Sequence, residues 1–229
     1  MYNSGMRVFV VISLLVALIG VGIFVFYTRH YGEPAVPSVE LPSQEVEVIE
    51  ATVATPEISF GYPKEFGLAV TQEQILVTAY IPPCSEGFDY CLYYNAHAYD
   101  GTNFESAGVR VKRRADLNGV TTCLTKSPEG YDTLTPTLTV LGPPSVSRFS
   151  PLGDAGAGHY AEGILYRLWD DSTCFEFETR IGASQYANYA EGSIEEFTDG
   201  DRDAVEHLMR QILNSVTLTK TGEKVAFPE

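Results

Sequence analysis

Apolar residues run without interruption from Val8 to Tyr27, and no helical face of that run is polar. Ser13 and Tyr27 carry its only hydroxyls, while Arg7 and Arg29-His30 flank it. A globular helix would show a polar stripe over such a length. At ~1.5 Å per residue the run reaches ~30 Å, the hydrocarbon thickness of a bilayer, so residues 1–30 are expected to hold a single transmembrane helix. Its end is bulky, Phe24-Val25-Phe26-Tyr27-Thr28, where cleavage of a signal peptide needs small residues. An uncleaved signal anchor is the expectation. No cysteine precedes Cys84, so a lipid-acylation site is absent from this stretch.

The pattern then changes twice. Residues 31–56 are rich in proline and glutamate and contain no base, a composition that favours an extended, self-repelling linker. Val46 to Ile49 is the part of it able to add a strand. Residues 57–229 return to short apolar alternations and are long enough for one domain with its own core. Strands are expected at Glu57–Tyr62, closed by Pro63, and at Ile75–Ile81, closed by Pro82. Cys91–Tyr99 and Ala107–Lys112 bracket Asp100-Gly101-Thr102-Asn103 as a hairpin. Thr133–Leu141 is a further strand, and His159–Trp169 with Thr173–Ile181 a second hairpin. In its latter strand Cys174, Glu176, Glu178 and Arg180 share one face, and Phe175, Phe177, Thr179 and Ile181 the other; the aromatic face is the expected core. Val205, Leu208, Met209, Ile212, Leu213 and Val216 recur at helical intervals, after Asp199 and Asp201 as candidate N-caps, and lead into a last strand. The fold class expected is therefore α+β: an N-terminal transmembrane helix, then a mostly antiparallel sheet packed by a C-terminal amphipathic helix.

Charge narrows the partners. Acids outnumber bases 30 to 15, for a formal net charge of −15, and none of those acids lies in residues 1–32. Such a domain repels nucleic-acid phosphates, so no nucleic acid is expected as a partner. The small basic cluster Arg110, Lys112, Arg113 and Arg114 reads as a solvated strand edge or loop. Cys84, Cys91, Cys123 and Cys174 all follow the apolar run, and an even count in an exported chain reads as disulfides. Of the pairings open, Cys84–Cys91 across a local bend, with Cys123–Cys174 as a clip between two β segments, is favoured. A zinc site would need CxxC pairs or more histidines, so no metal and no cofactor is expected. The charges flanking the apolar run nearly balance, and the cysteines together with the acidity of the domain lead to the expectation of a cytoplasmic N-terminus and a domain outside.

Candidate chemistry is sparse. The chain has no nucleotide-binding loop, HExxH or GxSxG. In Gly153-Asp154-Ala155-Gly156-Ala157-Gly158-His159, His159 and Asp154 have the makings of a base and its orienting carboxylate. The favoured reading of this stretch is a tight connector whose glycines take positive φ. His97 falls between Tyr93, Tyr94 and Tyr99 in an expected strand, as a structural imidazole. Asp170-Asp171 suits a turn, and Glu195-Glu196 a solvated approach to the helix. Tyr90, Tyr93, Tyr94, Tyr99, Tyr186 and Tyr189 would either line a glycan or peptide groove or fill half-buried sheet positions.

Ile58-Ser59-Phe60-Gly61-Tyr62-Pro63 with Phe66-Gly67-Leu68, and Gln211-Ile212-Leu213-Asn214-Ser215-Val216 at the other end, resemble the opening strands and closing helix of PsbP/Mog1-like exported domains. That resemblance implies an antiparallel sheet flanked by helices; it covers the two ends only, and the central cysteine-bearing hairpins depart from it. Cys174-Phe175-Glu176 and the Asn188-Tyr189, Gly192, Phe197 spacing are similar to segments of uncharacterised bacterial membrane-anchored extracytoplasmic proteins. Neither resemblance implies catalytic residues. The expected function is a non-enzymatic binding or accessory module of the cell envelope, anchored through Val8 to Tyr27, with an envelope protein, peptide or glycan as ligand. The alternatives are an envelope hydrolase using His159 with Asp154, and a membrane-tethered sensor acting through a partner.

Overall fold

A hairpin meander accounts for most of the strands in the computed structural model, which describes residues 49–69, 87–170 and 172–228. The transmembrane run Val8–Tyr27, most of the linker, the strand expected at Ile75–Ile81 and Cys84 lie outside the described residues. Among the described residues no helix is long and apolar enough to cross a membrane.

Among the described residues ten strands and two α-helices follow one another: β1 (Ala51–Ala54), β2 (Ile58–Tyr62), β3 (Phe66–Ala69), β4 (Tyr90–Tyr94), β5 (Phe104–Arg113), α1 (Val120–Thr125), β6 (Leu138–Val140), β7 (Ser145–Gly156), β8 (His159–Asp170), β9 (Thr173–Ser184), α2 (Asp199–Asn214) and β10 (Thr217–Leu218). They form a three-stranded sheet, β1-β2-β10, and a seven-stranded sheet, β3-β4-β5-β9-β8-β7-β6. Every pairing between these strands is antiparallel. The fold is α+β, as the sequence pattern predicts, and the sheet begins at Ala51, inside the stretch read as linker.

Alternation decides the layers. On β9, Phe175, Phe177 and Ile181 enter the main core with Val109, Val111, Tyr166 and Leu168 of neighbouring strands. Helix α2 closes that core with Val205, Leu208, Met209, Ile212 and Leu213. The opposite face of β9 is covered by α1, whose Cys123 and Leu124 pack with Leu117 and Cys174. The Cys123–Cys174 disulfide joins them, with Cα atoms 5.7 Å apart. Cys123 lies on a helix and not on the β segment expected. Cys91 is buried on β4 and is itself disulfide-bonded.

Several boundaries differ from expectation for identifiable reasons. β7 has no counterpart in the sequence reading, because Ser150-Pro151 breaks its alternation; the register to β8 shifts between Phe149 and Leu152. The glycine-rich stretch is mostly the end of this strand, and only Ala157 (φ 52°) and Gly158 (φ 83°) form the turn, the paired positive φ of a two-residue hairpin. The strand expected over 133–141 shrinks to Leu138–Val140, because Tyr131 and Leu134 turn inward to pack on Phe149, Leu152 and Leu165. Thr198 is the N-cap of α2: its hydroxyl accepts from the Asp201 amide at 3.3 Å, and the Asp201 carboxylate accepts from the Thr198 amide at 2.9 Å. That reciprocal pair displaces Asp199 and Asp201 from the capping role expected of them.

Candidate functional site

The sequence candidates scatter. His97 is not in a strand; β4 stops at Tyr94, and His97 sits on an exposed turn where its Nδ1 lies 2.9 Å from Asp100 Oδ2. His159 starts β8 and pairs through Nδ1 with Glu105, whereas Asp154 meets Tyr131 at 3.4 Å and Arg180 at 3.7 Å. Each member of the expected His159/Asp154 dyad thus has a different partner. Ser184 faces His159 across the ladder, but it is buried and its hydroxyl bonds Tyr189 at 2.8 Å. Most of the tyrosines also turn inward. Tyr94, Tyr99, Phe104 and Phe197 stack together with ring centroids 4.9–5.8 Å apart, and Tyr90 meets Phe60 edge-on. Tyr186 and Tyr189 remain the exposed aromatics of that set.

The basic cluster is no solvated edge, because β5 lies inside the sheet between β4 and β9. Arg110 pairs with Glu178, which also takes a 2.7 Å contact from Arg180. Arg114 bonds Glu176 at 2.8 Å, and Arg167, fully buried, reaches the same carboxylate at 3.0 Å. Burial pulls the Arg167 guanidinium below its ordinary value, against the pull of Glu176. A cleft of about 390 Å³ opens on this face, between Arg110, Lys112, Glu178 and Arg180 and the loop carrying Glu129 and Tyr131. Its buried carboxylates already sit between arginines, so the fold itself consumes most of its charge.

A second cleft, of about 250 Å³, lies on the other face, between α2 and strands β7 to β9. Met209, Leu213, Ile164 and Ile181 give it apolar walls, and Arg148, Tyr166, Glu206 and Arg210 line it with polar groups. Gly163 keeps its strand close to β9: a Cβ there would stand 2.2 Å from the Thr179 carbonyl oxygen. The Thr179 hydroxyl is held by the Ile164 backbone at 3.2 and 3.3 Å, leaving it unavailable as a nucleophile. Among the described residues no histidine or cysteine lines this cleft. Two polar atoms beside it, the Tyr166 hydroxyl and Arg148 Nε, have no partner among the described residues. Desolvation at the cleft wall raises the Glu206 carboxyl above its ordinary value, with Asp203 and Glu162 adding to the rise and Arg202 and Arg210 opposing it.

Sequence reasoning missed this cleft. Arg148 and Tyr166 become neighbours only through the β7–β8 register, and β7 itself was hidden by its bulge. The one legible signal was Met209 and Leu213 in the helical stripe. Among the described residues no group of three or more His, Cys, Asp or Glu is placed to hold a metal ion. No protein-family model matches the chain, and no curated protein matches it.

Proposed function

We propose that the chain is a membrane-anchored extracytoplasmic binding module of the cell envelope, whose domain takes a small ligand into the cleft under α2. The apolar run Val8–Tyr27 supports the anchor. The Cys123–Cys174 disulfide fits an oxidising compartment, outside the cytoplasm. The observation that carries the binding reading is the pair of buried, unpartnered polar atoms, Tyr166 Oη and Arg148 Nε, beside a half-apolar cleft. Buried polar groups are nearly always paired, and a ligand supplies the missing partners. The cleft's hydroxyls and charges suit holding a molecule rather than attacking it.

The test is thermal unfolding of the full chain in lipid nanodiscs against a panel of small organic molecules. A true ligand raises the midpoint, by the equivalent of about 2.7 kcal/mol at a hundred times its Kd. Ile164→Trp, which fills the cleft, is expected to abolish that rise while leaving the unliganded midpoint nearly unchanged. A panel that shifts both proteins equally, or neither, contradicts the reading.

A further inference from the structure

The polar end of the α2 cleft has a specific chemistry. Arg148 and Tyr166 are Cα partners across β7 and β8, so both side chains leave the same face of the sheet as neighbours. The hydrogen bonds of Arg148 run from Nη1 alone, to the Ser150 and Thr137 hydroxyls. Its Nε is buried without a partner. Nε and Nη2 together form one edge of the guanidinium, two parallel donors at the spacing of two carboxylate oxygens. Tyr166 is wholly buried, packed edge-on against Phe227 at 5.3 Å, and its hydroxyl is also unpartnered.

The charge balance sharpens this. The chain carries 30 acids and 15 bases, yet Arg148 has no carboxylate within 4.0 Å among the described residues, and neither has Arg210 across the cleft. At the cleft, the uncompensated charge of Arg148 together with its unpartnered Nε suits an acid from outside. Two carboxylates limit what that acid can be. Glu162 is engaged by Arg202 at 3.5 Å, but Glu206 stands on the helix wall and repels a second negative charge. A monoanion fits where a phosphate dianion does not.

Resting on the binding reading above, we propose that the ligand carries a single carboxylate, gripped side-on by Arg148 and hydrogen-bonded by the Tyr166 hydroxyl, and a short apolar body lying against Ile164, Met209 and Leu213. At about 250 Å³ the cleft is near the lower limit of small-molecule sites, which sets the body at a few carbons.

Methionine supplies a direct reporter. The chain has three, Met1, Met6 and Met209, and Met209 lines the cleft. With the full chain in nanodiscs and ¹³C-labelled methionine methyls, hexanoate and hexanol are titrated separately, with empty nanodiscs as the control for partitioning. Hexanoate is expected to move the Met209 signal saturably and to bind about tenfold or more tighter than hexanol. Arg148→Lys keeps the charge and loses the paired donors, so the gap should close; Tyr166→Phe should narrow it. Equal affinity for the two probes overturns the carboxylate and leaves the cleft as a binding site. A Met209 signal indifferent to hexanoate, in a protein whose unfolding midpoint other molecules raise, overturns it as well.

Discussion

Arg114 holds Asp116 through two parallel hydrogen bonds of 2.8 Å, and a third of its donors reaches Glu176. That grip keeps the Asp116 carboxyl well below its ordinary value of 3.8, chiefly through the hydrogen bonds and with help from the charges of Arg114 and Lys126. A carboxyl depressed in the folded state binds fewer protons there than in the unfolded chain. Its stabilisation is therefore complete above the unfolded value and is lost as pH falls through the folded one. Unfolding midpoints should drop as the pH goes below about 4, and Asp116→Asn should flatten part of that slope; an unchanged slope in the variant contradicts the assignment. The same residue-scale logic separates the two clefts. On the α1 side the arginines are already matched by Glu176, Glu178 and Asp116. On the α2 side Arg148 has hydroxyl partners only.

Helix α1 is too short to be stable alone, so its position depends on what it touches. Its Cys123 is bonded to Cys174, and the buried Arg167 donates to the carbonyls of Cys123 and Lys126 at its C-terminal end. For a sequence separation of 51 residues the loop-entropy model puts the disulfide at about 4 kcal/mol. Replacing both cysteines by serine should lower stability by about 2–5 kcal/mol in denaturant titrations, while the Met209 signal on the opposite face stays where it was. A Met209 signal that moves with the disulfide would contradict the independence of the two faces. At this scale the sequence was readable wherever periodicity was clean. The stripe from Val205 to Val216 gave α2, and the two faces of β9 divided core from cover as expected. The Cys123–Cys174 pairing was readable too, but not the helix that carries Cys123, which long-range contact with Arg167 holds in place, nor β7, whose period Ser150-Pro151 breaks. The candidate site depended on β7, since Arg148 meets Tyr166 only once that strand is in register.

Across the domain the seven-stranded sheet works as a partition. One face carries the main core, α2 and the half-apolar cleft; the other carries α1, the disulfide and a set of neutralised ions. The ion pairs of Arg110, Arg114 and Arg167 lie on the α1 side, whereas Arg148 on the α2 side has hydroxyl partners only. Hydrogen exchange of the full chain in nanodiscs, with and without the small-molecule fraction of the envelope that houses it, shows whether a ligand occupies the α2 cleft. Added protection is expected to be confined to 145–151, 162–166 and 205–213, the segments that wall the α2 cleft, and to be lost in Ile164→Trp. Protection appearing instead on the α1 face, or at the turn that carries His97, would contradict binding in that cleft.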